Sequence, residues 1–216
     1  MVKAICFDIN SLIDSKLESV VFNVAIPLIL VMKNKTQFAI AKDMLKKSLR
    51  EISKRHASFY YTLEVLSTIL DIDYNLLVDL YEYLSDIYVS KMDYADEILK
   101  ITRSRGMKNV VYTRSDPAID EIKLTSAGLR SYIDSLVSLP EVFGMIRGAK
   151  VFEKLANHLI KQGIAESLDE ILIVSPDLDD FLDAHEAGLK VVWFSRYGEL
   201  RTGNQILSLR ELIEFL

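Results

Sequence analysis

Beyond Met92, short β-forming runs alternate with amphipathic helical stretches, and this rhythm limits the fold more than any other feature. DEILKITRSRG reads as a helix ending at Gly106, and KNVVYTRSD as a strand, Asn109–Thr113, running into a polar loop. PAIDEIKLTSAG is helical with Gly128 as its stop, and YIDSLVS forms a strand. VFEKLANHLIKQG is an amphipathic helix capped by Gly163, EILIVSPD a strand, DDFLDAHEAG a helix and VVWFSR the last strand. One further run of this kind stands far upstream: Val2–Phe7, closed by Asp8. Strands and helices in this order join through right-handed crossovers around a parallel sheet covered on both faces.

From Lys16 to about Tyr88 the pattern is different. Apolar residues recur at helical spacing, as in Ala41, Met44, Leu45, Leu49 and Ile52, with lysines and arginines on the other face, and three or four helices are expected. The expected architecture is an α/β, doubly wound parallel-sheet (Rossmann-like) core formed by residues 1–14 and 93–216. An all-helical cap, residues 15–92, is inserted after the first strand.

Composition narrows the function classes. The net charge of −5 and the interleaving of basic with acidic residues argue against nucleic acid as a partner. Cys6 stands alone, so no internal disulfide forms, and a cytoplasmic setting is the default expectation. The run VVFNVAIPLILVM, Val20–Met32, falls short of the roughly 20 residues of a spanning helix and contains Asn23 and Pro27. It reads as a buried helix or as a face for a homodimer, with no membrane partner expected. His56, His158 and His185 are scattered without ligand spacing.

In open parallel sheets, ligands collect at the carboxyl ends of the strands. Here those ends are Asp8-Ile9-Asn10, Thr113-Arg114-Ser115 and Ser175-Pro176-Asp177. Each also has a plainer explanation: Asp8 caps the next turn, Thr113 is an ordinary strand-end residue, and Asp177, Asp179, Asp180 and Asp183 complement a helix N-terminus. The loop Arg196–Asn204 reads as a surface turn or as a substrate edge.

The residues at these ends resemble the motifs of the haloacid dehalogenase superfamily of hydrolases. FDINSLIDS is similar to its first motif, in which an aspartate directly after a hydrophobic strand is the nucleophile. VVYTRSDPAIDEIKLTSAGLRSYID is similar to the second, with Thr113 at the position that hydrogen-bonds the transferred group. ILIVSPDLDDFLDAHEAGLKVVWFSR is similar to the fourth, acidic motif, and Ser175, Asp177 and Asp180 fall into the serine-asparagine-aspartate spacing of the dehalogenase branch.

Four departures stand out. Asn10 replaces the second aspartate, which protonates the leaving group in phosphatases, and an amide cannot act as that acid. Ser11 stands near the place of the motif threonine, in a turn one residue short. The third-motif lysine is replaced by Ile146, with Arg147 and Lys150 close by. Pro176 occupies the position of a metal-binding aspartate, leaving Asp177 one step along.

The resemblance implies hydrolysis of a small phosphorylated metabolite, with Asp8 as nucleophile and Asn10, Thr113, Arg147 and Lys150 assisting. Ser11, Arg114, Ser115 and Ser175 would contact substrate, and Asp8, the Asn10 carbonyl, Asp177 and Asp180 would hold Mg²⁺. Two alternatives stand beside it: a catalytically silent binding protein of the same fold, and a 2-haloacid dehalogenase, which needs no metal.

Overall fold

The structure, a computed structural model, describes residues 1–34, 36–53, 59–144, 148–195 and 203–216. His56, Ile146, Arg147 and residues 196–202 of the polar loop lie outside them. The chain divides into two compact units: Met1–Asp14 with Lys91–Leu216, and Ser15–Ser90.

In chain order the first unit opens with β1 (Ala4–Asp8) and a single helical turn, α1 (Ile9–Leu12). A short strand, β2 (Ile13–Ser15), leads into the second unit. That unit holds α2 (Leu17–Val20), a π-helical turn (Val21–Ala25), α3 (Ile26–Asn34), α4 (Phe38–Ser53), α5 (Phe59–Leu70) and α6 (Tyr74–Tyr88). The chain returns through β3 (Val89–Lys91), which pairs with β2. The core then continues with α7 (Ala95–Ser104), β4 (Lys108–Thr113), α8 (Pro117–Ser126), β5 (Ser135–Ser138), α9 (Leu139–Phe143) and α10 (Ala149–Lys161). It ends with β6 (Ile171–Ser175), α11 (Leu178–Glu186), β7 (Lys190–Phe194) and β8 (Gln205–Ile206).

The main sheet runs β5-β4-β1-β6-β7-β8, and all its described pairings are parallel. The chain first builds outward from β1 to β4 and β5, then crosses back to β6, so β1 stands where the winding direction reverses. Every β1 residue is buried, as central strands covered on both faces require. Ala4 and Cys6 pack on one face with Val110, Tyr112, Ile173, Phe152 and Leu155. Register sets Asp8 opposite Tyr112 and Phe7 opposite Val174, which brings the ends of β1, β4 and β6 to one edge.

The Val20–Met32 run belongs to a longer continuous helical segment than its apolar residues suggest. Leu17–Asn34 is 18 residues with mean hydropathy 1.5, long and apolar enough to span a membrane by length and composition, a test that core helices also pass. Pro27 explains its π turn: the proline ring crowds the carbonyl four residues back, and the helix widens so that the Ile26 N–H bonds Val21 O. The extra residue re-phases the buried side, which runs Leu17, Val21, Ile26, Leu30, while Val24, Leu28 and Met32 are exposed.

Asn109 carries a buried polar hub at the far end of β4. Its amide nitrogen donates to Leu99 O (2.9 Å) and Tyr132 O (3.0 Å), and its side-chain oxygen accepts from Thr102 Oγ1 (2.6 Å). Replacing it with leucine removes three hydrogen bonds, although Thr102 Oγ1 keeps Leu99 O as its acceptor at 3.0 Å, so Asn109→Leu should destabilise the fold by about 1–3 kcal/mol. Urea unfolding followed by circular dichroism measures this.

Candidate active site

Asp8 ends β1 and caps the turn that follows. Its Oδ1 accepts from the Asn10 backbone N–H at 2.7 Å, and its own carbonyl accepts from Ser11 Oγ at 2.6 Å. A short polar side chain before a helical turn is what the orphan N–H groups there require, so the capping explanation of Asp8 holds. It does not exhaust the residue, because only 6% of Asp8 is exposed. Burial pushes its carboxyl up to about 7; the Asn10 hydrogen bond opposes this, while the charges of Asp180 and Asp177 add to it.

The β4 end supplies a second cluster. Thr113 is buried; with the Ser115 hydroxyl proton committed to Asp120, its Oγ1 donates to Ser115 Oγ at 2.9 Å and accepts from the Ser115 N–H at 3.0 Å. Ser115 Oγ also donates to Asp120 Oδ2 at 2.5 Å, and its carbonyl accepts from Ser138 Oγ. Asp120 is fully buried, with the Lys123 ammonium 3.5 Å from its Oδ1. This network fixes the loop that carries Thr113 and Arg114.

At the end of β6, Ser175 Oγ accepts from the Asp177 N–H, and Asp177 Oδ1 caps α11 by accepting from the Asp179 N–H at 2.8 Å. Asp180, in the first turn of that helix, is 2% exposed. Its Oδ1 takes both Nε (3.2 Å) and Nη2 (2.5 Å) of Arg114, and its Oδ2 accepts from the Tyr112 hydroxyl at 3.2 Å. Burial pushes the Asp180 carboxyl up, and the guanidinium pulls it part of the way back.

These contacts correct several sequence expectations. Ser11 does not face a substrate: it is fully buried and its hydroxyl closes the Asp8 turn. Lys150 is exposed at the start of α10 and makes no ion pair among the described residues. The expected magnesium donors do not fit a metal shell as arranged. Asp180 has both oxygens engaged, Asp177 caps its helix, and Asp8 caps its turn. Among the described residues no three His, Cys, Asp or Glu side chains could hold an ion together.

Tyr112, Asp120, Lys123 and Ser138 join the site without having been picked from the sequence. Only Tyr112 carried a signal: a tyrosine directly after two valines in a buried strand needs a partner for its hydroxyl.

No family model matches the chain, and no curated protein does. Solved structures do. A HAD phosphatase from Thermococcus onnurineus is 23% identical, covers 99% of this chain and 97% of its own, and superposes with a TM-score of 0.68. A putative HAD-hydrolase, YfnB from Bacillus subtilis, bound to magnesium, is 16% identical over 100% and 98% of the two chains, with a TM-score of 0.59. L-2-haloacid dehalogenase from Xanthobacter autotrophicus, with chloropropionic acid covalently bound, is 20% identical over 99% and 83%, at 0.53. The chain thus has the haloacid dehalogenase fold: a Rossmann-like α/β core with a helical insertion.

The raised Asp8 carboxyl has a stability consequence. Between its ordinary value of 3.8 and about 7, the native state holds a proton that the unfolded chain releases, so stability falls as pH rises through this window. Asp8→Asn removes that dependence. Its melting temperature relative to wild type should climb from pH 4 to pH 7 and level off above, in paired thermal melts.

Proposed function

We propose that this protein is a hydrolase that uses Asp8 as nucleophile on a small organic acid whose leaving group departs without a proton, a 2-halo acid being the class. The observation that carries this reading is the buried Asp8 carboxylate at the switch point of the sheet, followed by Asn10, which has no acidic proton to give.

In this reaction an Asp8 oxygen attacks the carbon bearing the halogen. The carbon–halogen bond breaks, and halide leaves with its electron pair. Water then adds to the Asp8 ester carbonyl, and cleavage of the acyl–oxygen bond releases a hydroxy acid and the free carboxylate, with one proton passing to solvent. A covalent chloropropionic acid adduct in a protein of the same fold supports this reading. Thr113 and Ser115, held on the loop after β4, orient the substrate beside Asp8.

A second reading, magnesium-dependent phosphoester hydrolysis, is favoured by the similarity to the archaeal phosphatase and to the magnesium-bound hydrolase. It requires Asp180 to leave Arg114 and an acid other than Asn10.

Purified protein should release halide from 2-chloropropionate in the presence of EDTA, and Asp8→Asn should reduce this to background. Turnover of phosphate esters alone, abolished by EDTA, would favour the second reading. Because attack needs the ionised form of Asp8, kcat/KM should rise through about pH 7, where an ordinary aspartate would give a limb near pH 4. A pH–rate profile from pH 4 to 9 checks this.

A further inference from the structure

We infer that Arg114 is the anion-recognition residue at these strand ends: its guanidinium, locked by Asp180 and Tyr112, receives the carboxylate or phosphate end of the ligand and makes a divalent cation unnecessary there. The inference deepens the hydrolase reading, on which only its catalytic part rests.

The geometry is that of a prepared cation. Arginine on a loop ordinarily loses much rotamer freedom when it binds. Here Nε and Nη2 are already fixed on Asp180 Oδ1. Asp180 is in turn held by the Tyr112 hydroxyl, and the Tyr112 ring is fully buried edge-on to Phe152, with centroids 5.7 Å apart. The guanidinium is thereby tied to the core through two hydrogen-bonded steps.

It nonetheless stays open. The Arg114 side chain is 42% exposed against 3% for Asp180, and Nη1 makes no hydrogen bond among the described residues. An ion pair serving stability alone gains little from a half-open cation, since water and salt screen it. A planar fork with one edge anchored and the other free suits an oxyanion, which it can grip with two parallel N–H bonds. Among the described residues, Lys123 is committed to buried Asp120, and Lys150 is exposed on α10.

Isothermal titration of the full chain with inorganic phosphate and with 2-chloropropionate, in EDTA, tests this. The proteins compared are wild type, Asp8→Asn, Arg114→Lys and the neutral pair Arg114→Gln/Asp180→Asn. Wild type and Asp8→Asn should bind, and both Arg114 variants should bind at least about tenfold more weakly at unchanged circular dichroism. Arg114→Lys keeps the charge and guards against loss of fold. The inference is overturned if wild type binds neither anion, if binding needs added Mg²⁺, or if both Arg114 variants bind like wild type. Arg114-dependent binding without any turnover would sink the hydrolase reading and leave this one standing. Turnover with an unchanged KM in Arg114→Lys would do the reverse.

Discussion

A carboxylate withdrawn from water at the end of a strand covered on both faces is the most demanding group in this molecule. Asp8 is held by one backbone N–H, and two further acids, Asp177 and Asp180, crowd it electrostatically. A buried charge of this kind persists only when its surroundings are rigid enough to forbid an easier arrangement. The rest of the core supplies that rigidity: register with Tyr112, a closed turn at Ser11, and a bonded loop after β4.

The neighbouring acid is handled differently. Asp180 meets a guanidinium on one oxygen and a phenol on the other, so its charge is matched where that of Asp8 is left largely exposed to its acidic neighbours. The two environments thus leave one carboxyl largely unmatched and the other fully partnered.

Much of the architecture was legible because hydrophobic period and glycine stops report it directly. The helix stops at Gly106, Gly128, Gly163 and Gly188 coincide with positive φ, which explains why those residues end their helices. The π turn was not legible, since Pro27 announces a disturbance without saying whether the helix breaks, kinks or widens. Strand β8 was missed because two residues, Gln205 and Ile206, carry no measurable period. In the site, the strand-end residues could be picked out, as topology gathers them at one edge. Their partners could not. The Arg114–Asp180 contact and the Asp120–Ser115 bond join residues whose pairing depends on how helices lie on the sheet, which side-chain chemistry alone leaves open. The role of Ser11 failed for the same reason: residue type says what a group can do and nothing of the direction it faces.

The paired strands β2 and β3 draw the two connecting segments together, with Met92 N bonded to Leu12 O at 2.8 Å and Lys16 N to Tyr88 O at 3.1 Å. The helical segment is therefore a stem-closed loop. Once that neck zips, β1 no longer has to find β4 across the whole insertion, only across the short spans on either side. Since ring-closure entropy grows with the logarithm of the span, the neck lowers the cost of that parallel pairing by about 1 kcal/mol. A long digression in the chain is thus made kinetically short.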